Sequence, residues 1–212
     1  MEPELLWLSH VLIALATTGL RISELAELRW TDVDMNEKLL KLTDESRQGT
    51  RERRQQARKL KGRRGRELPV HGELQRVLEQ LPRQRDGRVF HGPKGGRLKP
   101  DTVLLTLKRD VIKPLLPRFP STASQPGFKD GKVHSFRHYF CSLCADNGVP
   151  EPMLKNWLGH RDSKMVRRYY HSDRDAARSR LNQVDFLGGR ATSHDRIVSN
   201  PQVTESAPTM KG

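Results

Sequence analysis

Residues 158–171 read LGHRDSKMVRRYYH and place two adjacent tyrosines, Tyr169 and Tyr170, in a strongly basic segment. The tyrosines lie nine and ten positions after His160, which itself follows a glycine. Such a pair can simply be half-buried on a surface helix. Alternatively, one phenol is a nucleophile, and the neighbouring cations lower the cost of forming its phenolate. The rest of the chain decides between these two interpretations.

The chain as a whole is strongly basic. It has 212 residues, and 39 Lys and Arg against 25 Asp and Glu give a net charge of +14. A balance this basic most often indicates a polyanionic partner such as nucleic acid, although a solvated basic surface has the same composition. Hydrophobic residues make up only 34% of the chain. We therefore expect them to be concentrated in the buried faces of a single domain.

The two cysteines and the apolar N-terminal stretch indicate the cellular compartment in which the protein is expected. Cys141 and Cys144 are spaced as neighbours on one helix rather than as a disulfide framework, which favours a reducing compartment. Residues 1–20 are apolar, but they begin with acidic residues and are interrupted by polar side chains. They match neither a signal peptide nor a membrane span of about 18 apolar residues. We expect a cytoplasmic, nucleoid-associated protein without membrane contact.

Apolar residues at helical spacing predict a mainly helical chain. A first helix should run from about Leu5 to Ala16 and end at Gly19, and a second should cover 22–28. A strand is expected near 39–42, and residues 58–70 have the form of a strand, a glycine-bearing turn and a second strand. Further helices are predicted over 71–81, 100–116, 134–146, 150–158 and 162–171, followed by a short amphipathic segment at 172–187.

Two of these helices should each bury one apolar face. Tyr139, which lies within the first of them, is also expected to pack against its surroundings. The expected buried residues are Phe136, Phe140 and Leu143 in the helix over 134–146, and Met153, Leu154, Trp157 and Leu158 in the helix over 150–158.

Three segments carry a resemblance to a known family. They are TTGLRISELAELRWTDVD at 17–34, HSFRHYF at 134–140 and LGHRDSKMVRRYYH at 158–171. In order, spacing and context they resemble the three signature boxes of the tyrosine recombinase (phage integrase) family. A lysine-bearing hairpin between the first two boxes strengthens the resemblance, which extends over about residues 5–185.

The resemblance implies an α+β, mainly α-helical fold. This is the tyrosine recombinase catalytic-domain fold, with a small three-stranded antiparallel sheet. The domain would cover residues 1–187 with a basic insertion at 47–58, and a polar, disordered tail would follow at 188–212. Because the first box begins at residue 17, we expect the N-terminal core-binding domain of the family to be absent from this chain.

The resemblance also assigns the groups that would bind and attack a phosphodiester. Arg21 and Arg137 would bind its non-bridging oxygens, because guanidinium groups are planar, permanently charged and bidentate. Both lie at predicted helix starts, where anions are favoured. Tyr169 would be the nucleophile, nine residues after the histidine of the third box. Tyr170 is the runner-up, about 100° around the helix.

Four further residues of the boxes would assist. His134 would accept a proton from the tyrosine or hold it in place, and it shares a helix face with Arg137. His160 would donate a hydrogen bond to a non-bridging oxygen. Glu24 would orient a catalytic group or support its helix, and His138 would play a supporting role. The alternative of a zinc site formed by the histidines and by Cys141 and Cys144 is weaker, since cysteines also pack well on a helix.

The general acid would come from the hairpin between the first two boxes. Counting eight residues back from Pro69 gives Lys61, which would protonate the leaving 5′-oxygen, and Lys59 is its rival. The insertion at 47–58 is either a solvated loop or an arm that contacts DNA phosphates. The residues expected to contact DNA are Arg51, Arg53, Arg54, Arg58, Lys59, Arg63, Arg64 and Arg66.

The function implied by the resemblance is site-specific recombination of double-stranded DNA. The nucleophile would form a 3′-phosphotyrosine, so that neither a metal nor another cofactor is required. The protein would act as a homotetramer on DNA, with a monomer possible off DNA. Two alternatives stay open: a non-catalytic DNA-binding remnant or isolated fragment of an integrase, and DNA relaxation of the type IB topoisomerase kind.

Overall fold

Residues 3–46, 60, 65–122 and 127–159 are described by the computed structural model, and all of them belong to one compact unit, residues 1–171. The α-helices in these ranges are α1 (Leu6–Thr18), α2 (Ile22–Ala26), α3 (Gly72–Gln80), α4 (Pro100–Thr106), α5 (Lys113–Leu115), α6 (Ser135–Asp146) and α7 (Glu151–Leu158). A π-helix, Leu107–Ile112, joins α4 to α5. The strands are β1 (Val33–Asp34), β2 (Leu39–Leu42) and β3 (Arg66–Pro69).

Helix α1 forms the centre of the core and packs against α3 and α6. Its inward residues Leu8, Val11 and Leu15 recur at helical spacing and are at most 1% exposed. As predicted, α1 ends at Gly19, which adopts a left-handed conformation with φ 61°. A Cβ atom at Gly19 would lie 2.5 Å from Cδ1 of Phe140. The end of α1 can therefore approach α6 because residue 19 has no side chain.

The sheet is antiparallel, in the order β1-β2-β3. This confirms the predicted small three-stranded sheet. Among the described residues β3 pairs with β2: Leu40 lies opposite Leu68, and Leu42 lies opposite Arg66. Of the expected first hairpin strand, only the buried Leu60 belongs to the described residues.

The helix predicted over 100–116 is present, but its middle part is a π-helix. The wider turns precede Pro114, which has no backbone N–H with which to continue an α-helical hydrogen-bond ladder. No helix in the described ranges, this one included, is long and apolar enough to span a membrane.

Three expectations about buried faces are wrong. Leu143 is 46% exposed, Met153 is 48% exposed, and Tyr139 is 54% exposed. On α6 the inward face is centred near the fully buried Cys141, and Leu143 lies about 200° around the helix from it. The inward position at the start of α6 is taken by the charged Arg137, which a pattern of apolar residues does not reveal.

Candidate active site

Arg21 and Glu24 form the first part of the site, at the start of α2. The backbone of Arg21 is extended, and its N–H donates a hydrogen bond of 3.0 Å to Oε2 of Glu24. The Arg21 side chain also donates, from Nη1 to Oε1 of Glu24 at 3.1 Å. The sequence suggested that the start of α2 would attract a phosphate. In the structure, the anion at this helix start is the carboxylate of Glu24.

Arg66 approaches the same carboxylate from β3. Its Nη2 donates to Oε2 of Glu24 at 2.8 Å, and its Nε donates to the carbonyl of Trp157 at 2.8 Å. The side chains of Arg66 and Glu24 are only 2% and 4% exposed. Arg66 thereby connects β3 both to the start of α2 and to the last turn of α7.

Arg137 joins the ends of two other helices. Its Nη1 donates to the carbonyl of Gly19, which follows α1, and its Nη2 donates to the carbonyl of Leu158 at 2.8 Å. The residue is only 1% exposed. Backbone carbonyls at the C-terminal end of a helix carry partial negative charge and suit a cation. Arg137 therefore holds α6 against the ends of α1 and α7.

The carboxylate of Glu24 lies within a field of three arginines. Burial raises its pKa, but the charge of Arg66, the N–H and charge of Arg21 and the charge of Arg137 outweigh burial, and the pKa falls below its usual value. Glu24 is therefore ionised at neutral pH.

Burial acts on Arg137 in the opposite sense. It lowers the pKa of the guanidinium to about 10, and the charge of Arg21 acts in the same direction, whereas Glu24 opposes it. Arg137 remains charged at neutral pH. Three guanidinium groups face one carboxylate at this junction, so positive charge is in excess and a second anion is attracted there.

His134 and His138 lie one turn apart at the start of α6. Both residues are exposed, and their rings are nearly perpendicular with centroids 5.0 Å apart. His134 immediately precedes α6, and Arg137 lies in its first turn. His134 was expected to share a helix face with Arg137; its side chain is exposed, whereas Arg137 is buried.

Cys141 and Cys144 are free thiols on α6. Burial raises the pKa of both thiols to about 11. Without a metal ion, both are therefore protonated at neutral pH.

Gly159 ends α7 in a left-handed conformation with φ 65°. A Cβ atom at this position would lie 3.0 Å from Nη1 of Arg66 and 3.2 Å from its Cδ. Two physical constraints therefore favour glycine at this position of the third box: the left-handed backbone conformation and the close approach of Arg66.

Several predicted site residues lie outside the described residues. They are Lys59, Lys61, His160, Tyr169 and Tyr170, together with Arg51, Arg53, Arg54, Arg58, Arg63 and Arg64. Arg66 is described, and its position corrects the expectation that it contacts DNA. Its guanidinium is buried against Glu24 and the carbonyl of Trp157 and is not available to a DNA phosphate.

The buried position of Arg66 was not predicted, although the sequence carries one signal for it. Arg66 lies two residues before Leu68 on the same strand, and residues two apart share a face of a sheet. The buried Leu68 therefore implies an inward Arg66. Nothing in the sequence indicates that the backbone carbonyls of Gly19, Trp157 and Leu158 accept hydrogen bonds from arginine side chains, because every residue has a backbone carbonyl.

The family model and the relatives that match this chain point to the same family. A model of the phage integrase family matches residues 2–175. The tyrosine recombinase XerC of Xanthomonas axonopodis pv. citri is 27% identical over 161 residues, which cover 74% of this chain and 44% of the relative. The integrase of Salmonella phage P22 is 23% identical over 190 residues, which cover 90% of this chain and 46% of the relative. The chain thus spans slightly less than half the length of these relatives.

Comparison with solved structures concerns the fold. The Tn1549 transposon integrase, in complex with a circular intermediate DNA, superposes with a TM-score of 0.62 at 22% identity, covering 82% of this chain and 58% of that chain. XerA recombinase superposes with a TM-score of 0.56 at 22% identity, covering 82% of this chain and 55% of that chain. These neighbours confirm the expected catalytic-domain fold.

Proposed function

We propose, because this chain belongs to the phage integrase family, that it cleaves and rejoins DNA strands through a 3′-phosphotyrosine intermediate. One observation carries the proposal. Arg137 of the second box donates a hydrogen bond to Gly19, which lies 118 residues earlier in the first box, beside Arg21. Two guanidinium groups from distant boxes thus reach one junction, which is what the charge on a reacting phosphate requires.

The proposed chemistry is an in-line transesterification. The Tyr169 phenol attacks the phosphorus, the bond to the 5′-oxygen breaks, and Lys61 gives that oxygen a proton. His134 takes the phenol proton or holds the tyrosine, and His160 donates to a non-bridging oxygen together with the two arginines. The phosphotyrosine ester keeps the bond energy, so a 5′-hydroxyl of another strand can reverse the step without a metal or nucleotide.

The proposed substrate is double-stranded DNA in the cytoplasm, at the nucleoid. The net charge of +14 supports a polyanionic partner. The arginine-rich segment 47–58 and the neighbouring Lys59, Arg63 and Arg64 are the proposed phosphate contacts. Solved relatives of this fold include an integrase and a recombinase held on DNA.

The proposed assembly is a homotetramer on DNA, with a monomer off DNA. An apolar groove of about 500 Å³ between α1, the π-helix and α6 supports it, because Val111, Phe136 and the exposed Tyr139 line the groove. Residues 172–187 of a neighbouring protomer are its proposed occupant, because an amphipathic segment can bury its apolar face in such a groove.

Sedimentation on linear DNA tests this assembly. Tyr139→Ser should prevent the tetramer, whereas Leu105→Ser, which removes another exposed apolar side chain outside the groove, should not. Tetramers of normal stability in Tyr139→Ser would contradict the proposed contact.

Two other functions make different predictions. A non-catalytic fragment of an integrase would bind DNA without forming a covalent product, and the partial coverage of the relatives favours this as the second candidate. A type IB topoisomerase would relax supercoiled DNA but would not exchange strands between two DNA molecules.

The deciding experiment is incubation with supercoiled plasmid in EDTA, followed by quenching with SDS. We expect a covalent protein–DNA band from the wild type and from Tyr170→Phe, but not from Tyr169→Phe. A product that survives in Tyr169→Phe would overturn the proposed nucleophile. DNA binding without any covalent product in the wild type would favour the fragment interpretation. Adding a second, labelled plasmid separates strand exchange from relaxation.

A further inference from the structure

Arg66 is a buried cation that the proposed chemistry does not use. It lies on β3 opposite Leu42 and two residues before Leu68, on the face of the sheet that faces the core. Its side chain is 2% exposed. Burying a guanidinium is costly unless charge-assisted hydrogen bonds compensate for the lost water. The partners that compensate it therefore indicate why it is there.

These partners belong to the first box and to the residue that directly precedes the third box. The carboxylate of Glu24 lies three residues after Arg21 and is bound to it, and the carbonyl of Trp157 lies in the last turn of α7. The position of a Gly159 Cβ atom would be 3.0 Å from Nη1 of Arg66, so the guanidinium also lies directly against the turn that leads to His160.

We propose that Arg66 is a positioning residue for the reaction: it holds the end of α7, and with it the start of the third box, in register with Glu24 and Arg21. This inference rests on the proposed function. Arg66 does not touch the phosphate. It determines where Arg21 lies, through Glu24, and where the chain enters the segment that carries His160 and Tyr169.

The geometry of the contacts requires an arginine rather than any cation. Nε and Nη2 lie on one edge of the planar guanidinium, and each donates at 2.8 Å to a different element. A lysine ammonium keeps the charge, but it is a point donor on a flexible stem and does not reproduce this fixed pair of directions. Arg66→Lys therefore keeps the positive charge but loses the paired hydrogen bonds that connect α2 with α7.

The experiment measures three quantities for the full chain. They are the melting temperature, the affinity for the plasmid by gel shift in EDTA, and the rate of covalent product formation at saturating plasmid. The variants are Arg66→Lys, Arg66→Met and Tyr169→Phe as the blank. Arg88→Met is the matched control, because Arg88 also pairs with a half-buried glutamate of the α2 region, Glu27, at 3.2 Å.

We expect Arg66→Lys to fold and to bind the plasmid as the wild type does. Its rate of covalent product formation should fall about 100-fold, the loss that a displacement of about 1 Å at a reacting group can cause. Arg66→Met should lose more stability, because Glu24 then stays buried without its nearest cation. Arg88→Met should lose stability but keep the wild-type rate per folded molecule.

The results that would overturn the inference are distinct. A wild-type rate in Arg66→Lys shows that the connection is not needed for the reaction. Loss of plasmid affinity in parallel with the rate shows that Arg66 acts through DNA binding. If the wild type itself forms no covalent product, the proposed function and this inference are both overturned. This failure is distinct from the others because it does not depend on which residue stands at position 66.

Discussion

Glu24 is an ionised carboxylate in the interior, and its three arginines hold it in that state. Burial raises the pKa of Glu24, and the charges of Arg66, Arg21 and Arg137 with the N–H of Arg21 lower it by more. A carboxyl whose pKa is lowered on folding contributes stability above its unfolded pKa and loses it as the pH falls through the folded value. Acid should therefore loosen this junction below about pH 4.5, the ordinary value for Glu.

Replacing the carboxylate tests that conclusion. Glu24→Gln should lower the free energy of unfolding at neutral pH by about 3 kcal/mol, because it leaves two buried guanidinium groups without their counter-charge. It should also flatten the fall in stability between about pH 5 and about pH 3. Urea unfolding across this range measures both effects. Glu73→Gln, in the exposed pair with Arg76, is the control and should change little; parallel acid profiles for Glu24→Gln and the wild type would contradict the prediction.

Gly159 combines two constraints that a matched substitution can separate. Gly159→Ala and Gly87→Ala impose similar backbone strain, since the φ angles are 65° and 70°. A Cβ atom at Gly87 meets nothing within 4 Å, whereas one at Gly159 lies 3.0 Å from Arg66. We expect Gly87→Ala to cost about 1 kcal/mol and to spare the covalent-product assay.

The difference between the two alanine variants then reports on Arg66. Gly159→Ala should cost more stability than Gly87→Ala and should slow covalent product formation, because Arg66 has to move away from the new methyl group. Chemical denaturation and the plasmid assay provide the two readouts. Equal losses in both variants would show that only the backbone conformation matters at Gly159.

At the scale of the element, β3 alternates between the core and solvent. Leu68 is 1% exposed and Glu67 is exposed. Leu68→Ala should therefore lower the free energy of unfolding by about 3 kcal/mol, from lost burial and the cavity left behind. Glu67→Ala should stay within about 0.5 kcal/mol of the wild type. Denaturant unfolding of both variants checks this; similar losses would mean that the strand register is different.

The same alternation explains what could be predicted from the sequence at this scale. The limits of α1 and α6 could be predicted from the spacing of apolar residues and, for α1, from the glycine at its end. The observed limits of both helices agree with these predictions. The orientation of Leu143 and Met153 did not follow, because a helix has several faces with some apolar residues. Only packing against α1 and the burial of Arg137 select the face of α6 that turns inward.

At the scale of the whole molecule, the net charge of +14 should make DNA binding strongly dependent on salt. Residues 47–58 contain Arg47, Arg51, Arg53, Arg54 and Arg58. Replacing these five arginines by glutamine should make the slope of log affinity against log salt less steep, by up to about four if most of them neutralise a phosphate. Replacement by lysine keeps the charge and should leave the slope nearly unchanged. An unchanged slope in the glutamine variant would identify the segment as a solvated loop.

The sequence by itself determined the family, the mainly helical fold with a small sheet, and the residues Arg21, His134 and Arg137 as members of the boxes, because motif order and hydrophobic spacing are local properties of the chain. The tertiary structure alone decided that Glu24 receives a hydrogen bond from Arg66 of β3, that Arg137 connects the ends of α1 and α7, and that Arg66 is an interior residue rather than a surface contact. These features depend on contacts between segments far apart in the chain. A buried charge is stable only where such contacts supply its hydrogen bonds, so its position follows from the packed fold and not from its neighbours in sequence.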